Sequence, residues 1–228
     1  MFNLTTFREL VTAALWTGLL AGLLLTAVQQ IRVIPTLLQA EVYEKNAPAA
    51  AISTTEHIHE YHEWQPENGW ERTFFTAVAN ISLGVGFALL IGSVMCLRGR
   101  PGNWRVGLLW GLSGYLTFFV APSLGLPPEV PGTEAAQLAD RQSWWLMTVL
   151  DTGFGLSLLA FAKTRTNKFF GIVLLAAPHL ISAPQPEVHS SAAPAELAQS
   201  FITATVFANA VFWLAIGGLM GQFYKRES

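Results

Sequence analysis

TFFTAVANISLGVGFALLIGSVMCL, residues 73–97, runs for 25 positions without one charged side chain. A bilayer core is crossed by about 20 consecutive apolar residues in helical form. A helix that is apolar on every side needs lipid or a large protein core around it. Composition chooses between these. The 228-residue chain is 52% hydrophobic and only 12% charged, whereas soluble domains carry about 25% charged residues. The chain therefore reads as an all-α integral membrane protein in a single membrane domain, 1–228.

Five further stretches extend this reading. They are 10–38, 105–121, 143–162, 169–183 and 199–222. The first has an apolar stretch of about 19 residues, longer than a signal-peptide core, so it is expected to remain as a span. The fifth, FFGIVLLAAPHLISA, is short and contains Pro178, which also suits a re-entrant segment. Charge chooses six spans. With six, Arg8, Arg98, Arg100, Arg105, Lys163, Arg165, Lys168, Lys225 and Arg226 fall on one side, against Lys45, Arg72 and Arg141 on the other. Basic residues concentrate on the cytoplasmic side. Both termini are thus expected in the cytoplasm, with outer loops near 39–72, 122–142 and 184–198 facing the periplasm or exterior.

The ends of the odd spans resemble one another: PTLLQAEV (35–42), APSLGLPPEV (121–130) and APHLISAPQPEV (177–188). The even spans share a weaker likeness, in TAVANISLGVGF (76–87), MTVLDTGFGLSL (147–158) and TATVFANAVFWLAIGG (203–218). The expectation is three similar helical hairpins, 1–98, 99–165 and 166–228, as parallel repeats about a pseudo-threefold axis along the membrane normal. Pro35, Pro122 and Pro178 bend the odd helices and free backbone carbonyls. Glu41, Glu129 and Glu187, with Asn80, Asp151 and Asn209 below them, would line an oxygen-rich vestibule. Asn residues in spans commonly join helices, which is the plainer reading of Asn80 and Asn209. An ionisable Asp151 is costly in lipid and marks function by default. Gln29 and Gln30 are polar at a similar depth. Gly18 with Gly22, Gly84 with Gly86, and Gly217, Gly218 and Gly221 suggest close helix contacts.

Repeat one carries an insertion, 43–72, holding EHIHEYHEW at 56–64. Neutral imidazoles bind borderline divalent cations such as zinc, copper, nickel and cobalt, and carboxylates complete the shell. His57, His59 and His62 interleave with Glu56, Glu60 and Glu63, giving two or three convergent ligands in either a helix or an extended strand. His179 and His189 lie in the same outer half. A solvated loop is the bland alternative. Ligation by neutral imidazole should weaken as pH falls through about 6.5. Net charge of -2 gives no case for nucleic-acid binding, and the single Cys96 excludes a multi-thiolate site. There is no nucleotide-binding loop, serine triad or zincin pattern, so an enzyme is disfavoured.

Several stretches carry a resemblance: VQQIRVIP (28–35), AEVYE (40–44), WQPENGWERTFFTAVANISLGVGFALL (64–90), LLWGLSGYLTFFVAPSLGLPPEVPGTEAAQLADRQSWW (108–145), PHLISAPQPE (178–187) and FANAVFWLAIGGLMG (207–221). Their order resembles the CbtA family of predicted cobalt transporter subunits. The resemblance implies an inner-membrane protein for cobalt uptake linked to cobalamin synthesis. It also implies a small single-span, histidine-bearing partner, CbtB. The family is commonly described with five spans, whereas the charge count gives six. Cobalt would be the substrate, with Zn²⁺ or Ni²⁺ able to substitute. The expected activity is a permease or permease subunit; the alternative is a metal-binding assembly protein that hands cobalt on without transporting it. A homo-oligomer stays open.

Overall fold

The computed structural model describes residues 4–47, 66–99 and 103–224. Helix α1 (Leu4–Arg32) breaks at Val33 and resumes as α2 (Ile34–Asn46). Pro35 causes the break, since it has no N–H for the carbonyl one turn back and its ring crowds that carbonyl. Val33 N still reaches Gln29 O at 2.9 Å and Leu37 N reaches Val33 O at 3.0 Å, so the chain turns without unravelling. Helix α3 (Trp70–Leu97) contains the whole uncharged run 73–97.

Helix α4 (Trp104–Tyr115) starts where the Asn103 side chain accepts from Arg105 N at 2.7 Å. Its end widens into a π-helical turn, Leu116–Val120, before the short α5 (Ala121–Gly125). Pro122 again cannot donate along the helix. The π turn accommodates that loss by shifting the ladder one residue: Ala121 N donates to Leu116 O. Helix α6 (Leu138–Phe161) is followed after three residues by α7 (Arg165–Ile181), which contains Pro178. The last helix is α8 (Ala195–Phe223).

Five helical stretches are long and apolar enough to cross a membrane: Leu4–Arg32, Trp70–Leu97, Trp104–Gly125, Leu138–Phe161 and Ala195–Phe223. The protein is a multi-pass membrane protein on this evidence. The α7 helix has 17 residues, about 25 Å, against a hydrocarbon core of about 30 Å. Its charged first turn shortens the apolar part further.

Contacts select three main pairs: α1 with α3, α4 with α8, and α6 with α7. A fourth contact, α1 with α8, joins the first two pairs into one four-helix body. The second and third pairs differ from the expected hairpins, in which α4 would lie against α6 and α7 against α8. Backbone fit explains the difference. Glycines admit close helix approach where packing replaces the hydrophobic drive. Gly107 and Gly111 of α4 lie against Gly217 and Gly221 of α8. Gly155 of α6 faces Gly171 of α7, and a methyl added to either would sit 2.9 Å from the other's carbonyl oxygen. Gly18 and Gly22 likewise meet α3 at Gly84, Val85 and Ile81. Gly86 has open space, so it belongs to no such contact.

The main core lies within the four-helix body, around Leu25, Ile91, Phe212, Ile216 and Met220. Phe118 of the π turn stacks on Trp213 of α8, with ring centres 5.4 Å apart, and approaches Phe87 and Trp145. This aromatic group attaches the α6–α7 pair to the rest. Many large apolar side chains, such as Leu109, Phe154 and Phe169, face outward, as expected of a surface solvated by acyl chains.

Candidate functional site

The connections α2, 126–137 and 182–194 meet at one end of the helices. Thr133 and Ser191 form an isolated antiparallel bridge. Glu134 N donates to Ser190 O and Ala192 N to Gly132 O, both at 3.0 Å. Gly132 has positive φ and sits against the side chains of Ala192 and Glu44. Beneath, Val33, Ala40, Val130 and Ala193 are buried together. The described parts of the three stretches that sequence places in the outer loops therefore share one packed cap.

A polar recess of about 490 Å³ opens in this cap, lined by Glu41, Lys45, Pro66, Glu67, Asn68 and Arg72. It lies at the root of the insertion, close to where the described chain stops at Ala47 and resumes at Pro66. Arg72 bridges two walls, donating to Glu41 and to Asn68 Oδ1. The second repeat makes a comparable pair, with Arg141 Nη2 2.9 Å from Glu129 Oε2. In both cases the repeated glutamate meets an arginine in the first turn of the next even helix. The sequence reading took these arginines only as exceptions to the charge bias. The recurrence of Glu-Val followed by Arg at the next helix start was the signal available for them. Glu187 is exposed and has no ion pair among the described residues.

Asn80 is buried between α1 and α3, donating to Thr26 Oγ1 at 3.0 Å and to Gln29 Oε1 at 2.7 Å. Gln30 Nε2 donates to Thr73 Oγ1 at 3.0 Å, one to two turns nearer the cap. Asn80, Gln29 and Gln30 thus form a polar ladder that joins two helices. Asn209 bonds within its own helix, to Thr205 O. Asp151 is half-buried in the middle of α6, with no ion pair among the described residues. Helical spacing sets it on the same side as Trp144 and Gly155, the side that meets α7 through Gly171. Its neighbour Thr152 is 3% exposed, and its hydroxyl has no hydrogen-bond partner among the described residues. Sequence reasoning passed over Thr152, because a lone threonine in an apolar run carries no signal.

His179 is exposed at the cap end of α7, edge-on to Trp144 with ring centres 6.3 Å apart. Trp144 Nε1 donates to the carbonyl of Pro178 at 3.3 Å. His57, His59, His62, Glu56, Glu60 and Glu63 lie outside the described residues. Among the described residues, no three His, Cys, Asp or Glu side chains come together as a metal-holding group. Chemically, the cap offers carboxylates and a polar recess beside the insertion, and the helices below offer one acid at mid-depth.

No curated protein and no solved structure matches the chain. A family model described as "Probable cobalt transporter subunit (CbtA)" matches residues 7–225, nearly the whole chain. The chain belongs to the CbtA family.

Proposed function

We propose that the chain is the membrane-embedded subunit of a cobalt uptake permease in the cytoplasmic membrane. In this reading His57, His59 and His62, with Glu56, Glu60 and Glu63, capture Co²⁺ from outside. Glu41, Glu129 and Glu187 set a negative mouth, with His179 beside it and Asp151 deeper. A carboxylate-lined mouth raises local cation concentration by focusing the field. The observation that carries the proposal is the packed cap: the predicted outer loops converge beside the root of the histidine insertion. Nickel and zinc compete for the same ligands under the Irving–Williams order.

Six passes, with both termini cytoplasmic, complete the proposal. Its support is that α7 runs antiparallel along α6, from the Gly155–Gly171 contact to Trp144 and Pro178. It then enters the same cap as the other outer loops. The three hairpins are then successive units of insertion, while packing pairs the helices differently.

A second reading, a metal-binding protein that passes cobalt to a partner such as a single-span CbtB-like subunit, draws on another observation. Glu41 and Glu129 are ion-paired, and Asn80, Gln29 and Gln30 hold α1 to α3. Groups so engaged are poor cation ligands. Cobalt uptake by cells expressing the variant with all three cluster histidines changed to Ala separates capture from scaffold. The proposal expects a loss of uptake at limiting cobalt that excess cobalt restores. Unchanged uptake across that range removes the capture role. Asp151→Asn tests the pathway, and wild-type transport would make Asp151 a packing residue.

A further inference from the structure

Away from the cap, a cleft of about 710 Å³ separates α3 and α4 from α6. It runs from Thr117 and Phe118 of the π turn down to Arg98 and Phe161 near the opposite helix ends. The α6 wall, from Val149 to Phe161, is about 18 Å long. That length suits half a bilayer more than a whole one.

The walls are almost wholly hydrocarbon and aromatic, with Val94, Leu109, Trp110 and Phe154 among them. Two serines line it, but each hydroxyl turns back into its own helix: Ser113 Oγ donates to Leu109 O and Ser157 Oγ to Gly153 O. No carboxylate, imidazole or thiol lines the cleft, so it offers nothing to a divalent cation.

The single charged lining group stands at the mouth. Arg98 follows the last residue of α3 and is exposed, with no ion pair among the described residues. Its guanidinium lies over the Phe161 ring, 3.7 Å from the centre. Phe161 also lies beside Trp110, with ring centres 5.9 Å apart. These rings fix the guanidinium at the cleft end while leaving its N–H groups available. A basic group at the mouth of an apolar slot between membrane helices matches an anionic phospholipid head with its chain below.

We propose that this cleft is a binding site for one anionic phospholipid, with one of its two acyl chains along α6 and its phosphate on Arg98. The site depends on neither cobalt nor the histidine insertion. With the termini cytoplasmic, the lipid belongs to the inner leaflet.

The test uses the full chain in detergent, titrated with phosphatidylglycerol carrying brominated acyl chains, or with phosphatidylcholine carrying the same chains. Bromine quenches nearby tryptophan, and Trp110 reports the cleft; Trp110→Phe identifies its share of the quench. The expected result is saturable quenching of Trp110 at lower phosphatidylglycerol than phosphatidylcholine. Arg98→Gln should weaken phosphatidylglycerol roughly five-fold and leave phosphatidylcholine unchanged. Ser157→Phe, which fills the slot from an exposed position, should remove Trp110 quenching by both lipids. Equal affinity for the two headgroups in wild type overturns the proposal. So does an undiminished phosphatidylglycerol preference in Arg98→Gln, or Trp110 quenching that survives Ser157→Phe. Cobalt uptake is not the readout, so failure here leaves the transport proposal standing.

Discussion

Gly217→Ala tests the backbone contact between α4 and α8. A methyl built at Gly217 would lie 2.6 Å from the Gly111 Cα and 2.6 Å from the Gly111 N. Carbon atoms pack best at about 3.5–4.0 Å, so the methyl is about 1 Å too close. Its neighbours are backbone atoms, which cannot rotate away as a side chain can. The helices must separate by about that distance, which removes contacts along the whole seam. Overpacking of this kind costs about 1–3 kcal/mol. Replacing helical Gly by Ala returns up to about 1 kcal/mol. Because the obstacle is backbone, the cost falls at about 2–3 kcal/mol, and overpacking wins by about 1–2 kcal/mol. At this chain length that lowers the unfolding midpoint by about 2–8 °C. Gly86→Ala is the control, since nothing lies within 4 Å of a methyl there; it should be neutral or slightly stabilising. The assay is thermal unfolding of purified protein in one detergent, followed by near-ultraviolet circular dichroism. An unchanged midpoint for Gly217→Ala, or an equal fall for Gly86→Ala, would refute the contact.

Other predictions follow from the cap and the ladder. A double-mutant cycle on Glu129 and Arg141, both partly exposed, should give a coupling of about 0.5–1 kcal/mol; a mouth role in addition predicts that Glu129→Gln lowers cobalt uptake more than Arg141→Gln does, and equal losses would reduce the pair to a structural tie. Asn80→Ala should destabilise the fold by about 0.6–1.7 kcal/mol in thermal unfolding and leave cobalt affinity, read by calorimetry, unaltered. Cobalt binding should fall as pH drops through about 6.5, because protonated imidazole cannot ligate. That pH dependence should flatten when His57, His59 and His62 are all replaced by Ala.

Charge-free runs made the spans legible. The stretch 73–97 became α3 (Trp70–Leu97), and 143–162 became α6 (Leu138–Phe161). Each helix starts a few residues earlier than expected, because polar first turns continue the helix into the cap. The prolines were legible as interruptions, but not in what each does. Pro35 divides α1 from α2, Pro122 follows a π turn, and Pro178 stays within α7. Partner choice was not legible. Glycine spacing shows which face allows close approach, yet any two such faces fit in principle. Only the three-dimensional arrangement sets Gly107 against Gly217 and Gly155 against Gly171. Asn80 was legible as a joining residue, but its partners Thr26 and Gln29 are 54 and 51 positions away. The apolar cleft left no mark either, since its lining looks like any lipid-facing helix.

Cobalt movement across a sealed bilayer separates a permease from a protein that only hands cobalt on. The purified chain would be reconstituted in liposomes, alone and with the single-span subunit proposed as its partner, and cobalt inside the vesicles followed over time. Time-dependent accumulation is expected in at least one of these preparations. Replacement of the cluster histidines should slow it at limiting cobalt, and Asp151→Asn should slow it at all concentrations. Cobalt that binds the protein while the vesicle interior stays at the level of protein-free liposomes, with and without the partner, would contradict the permease proposal.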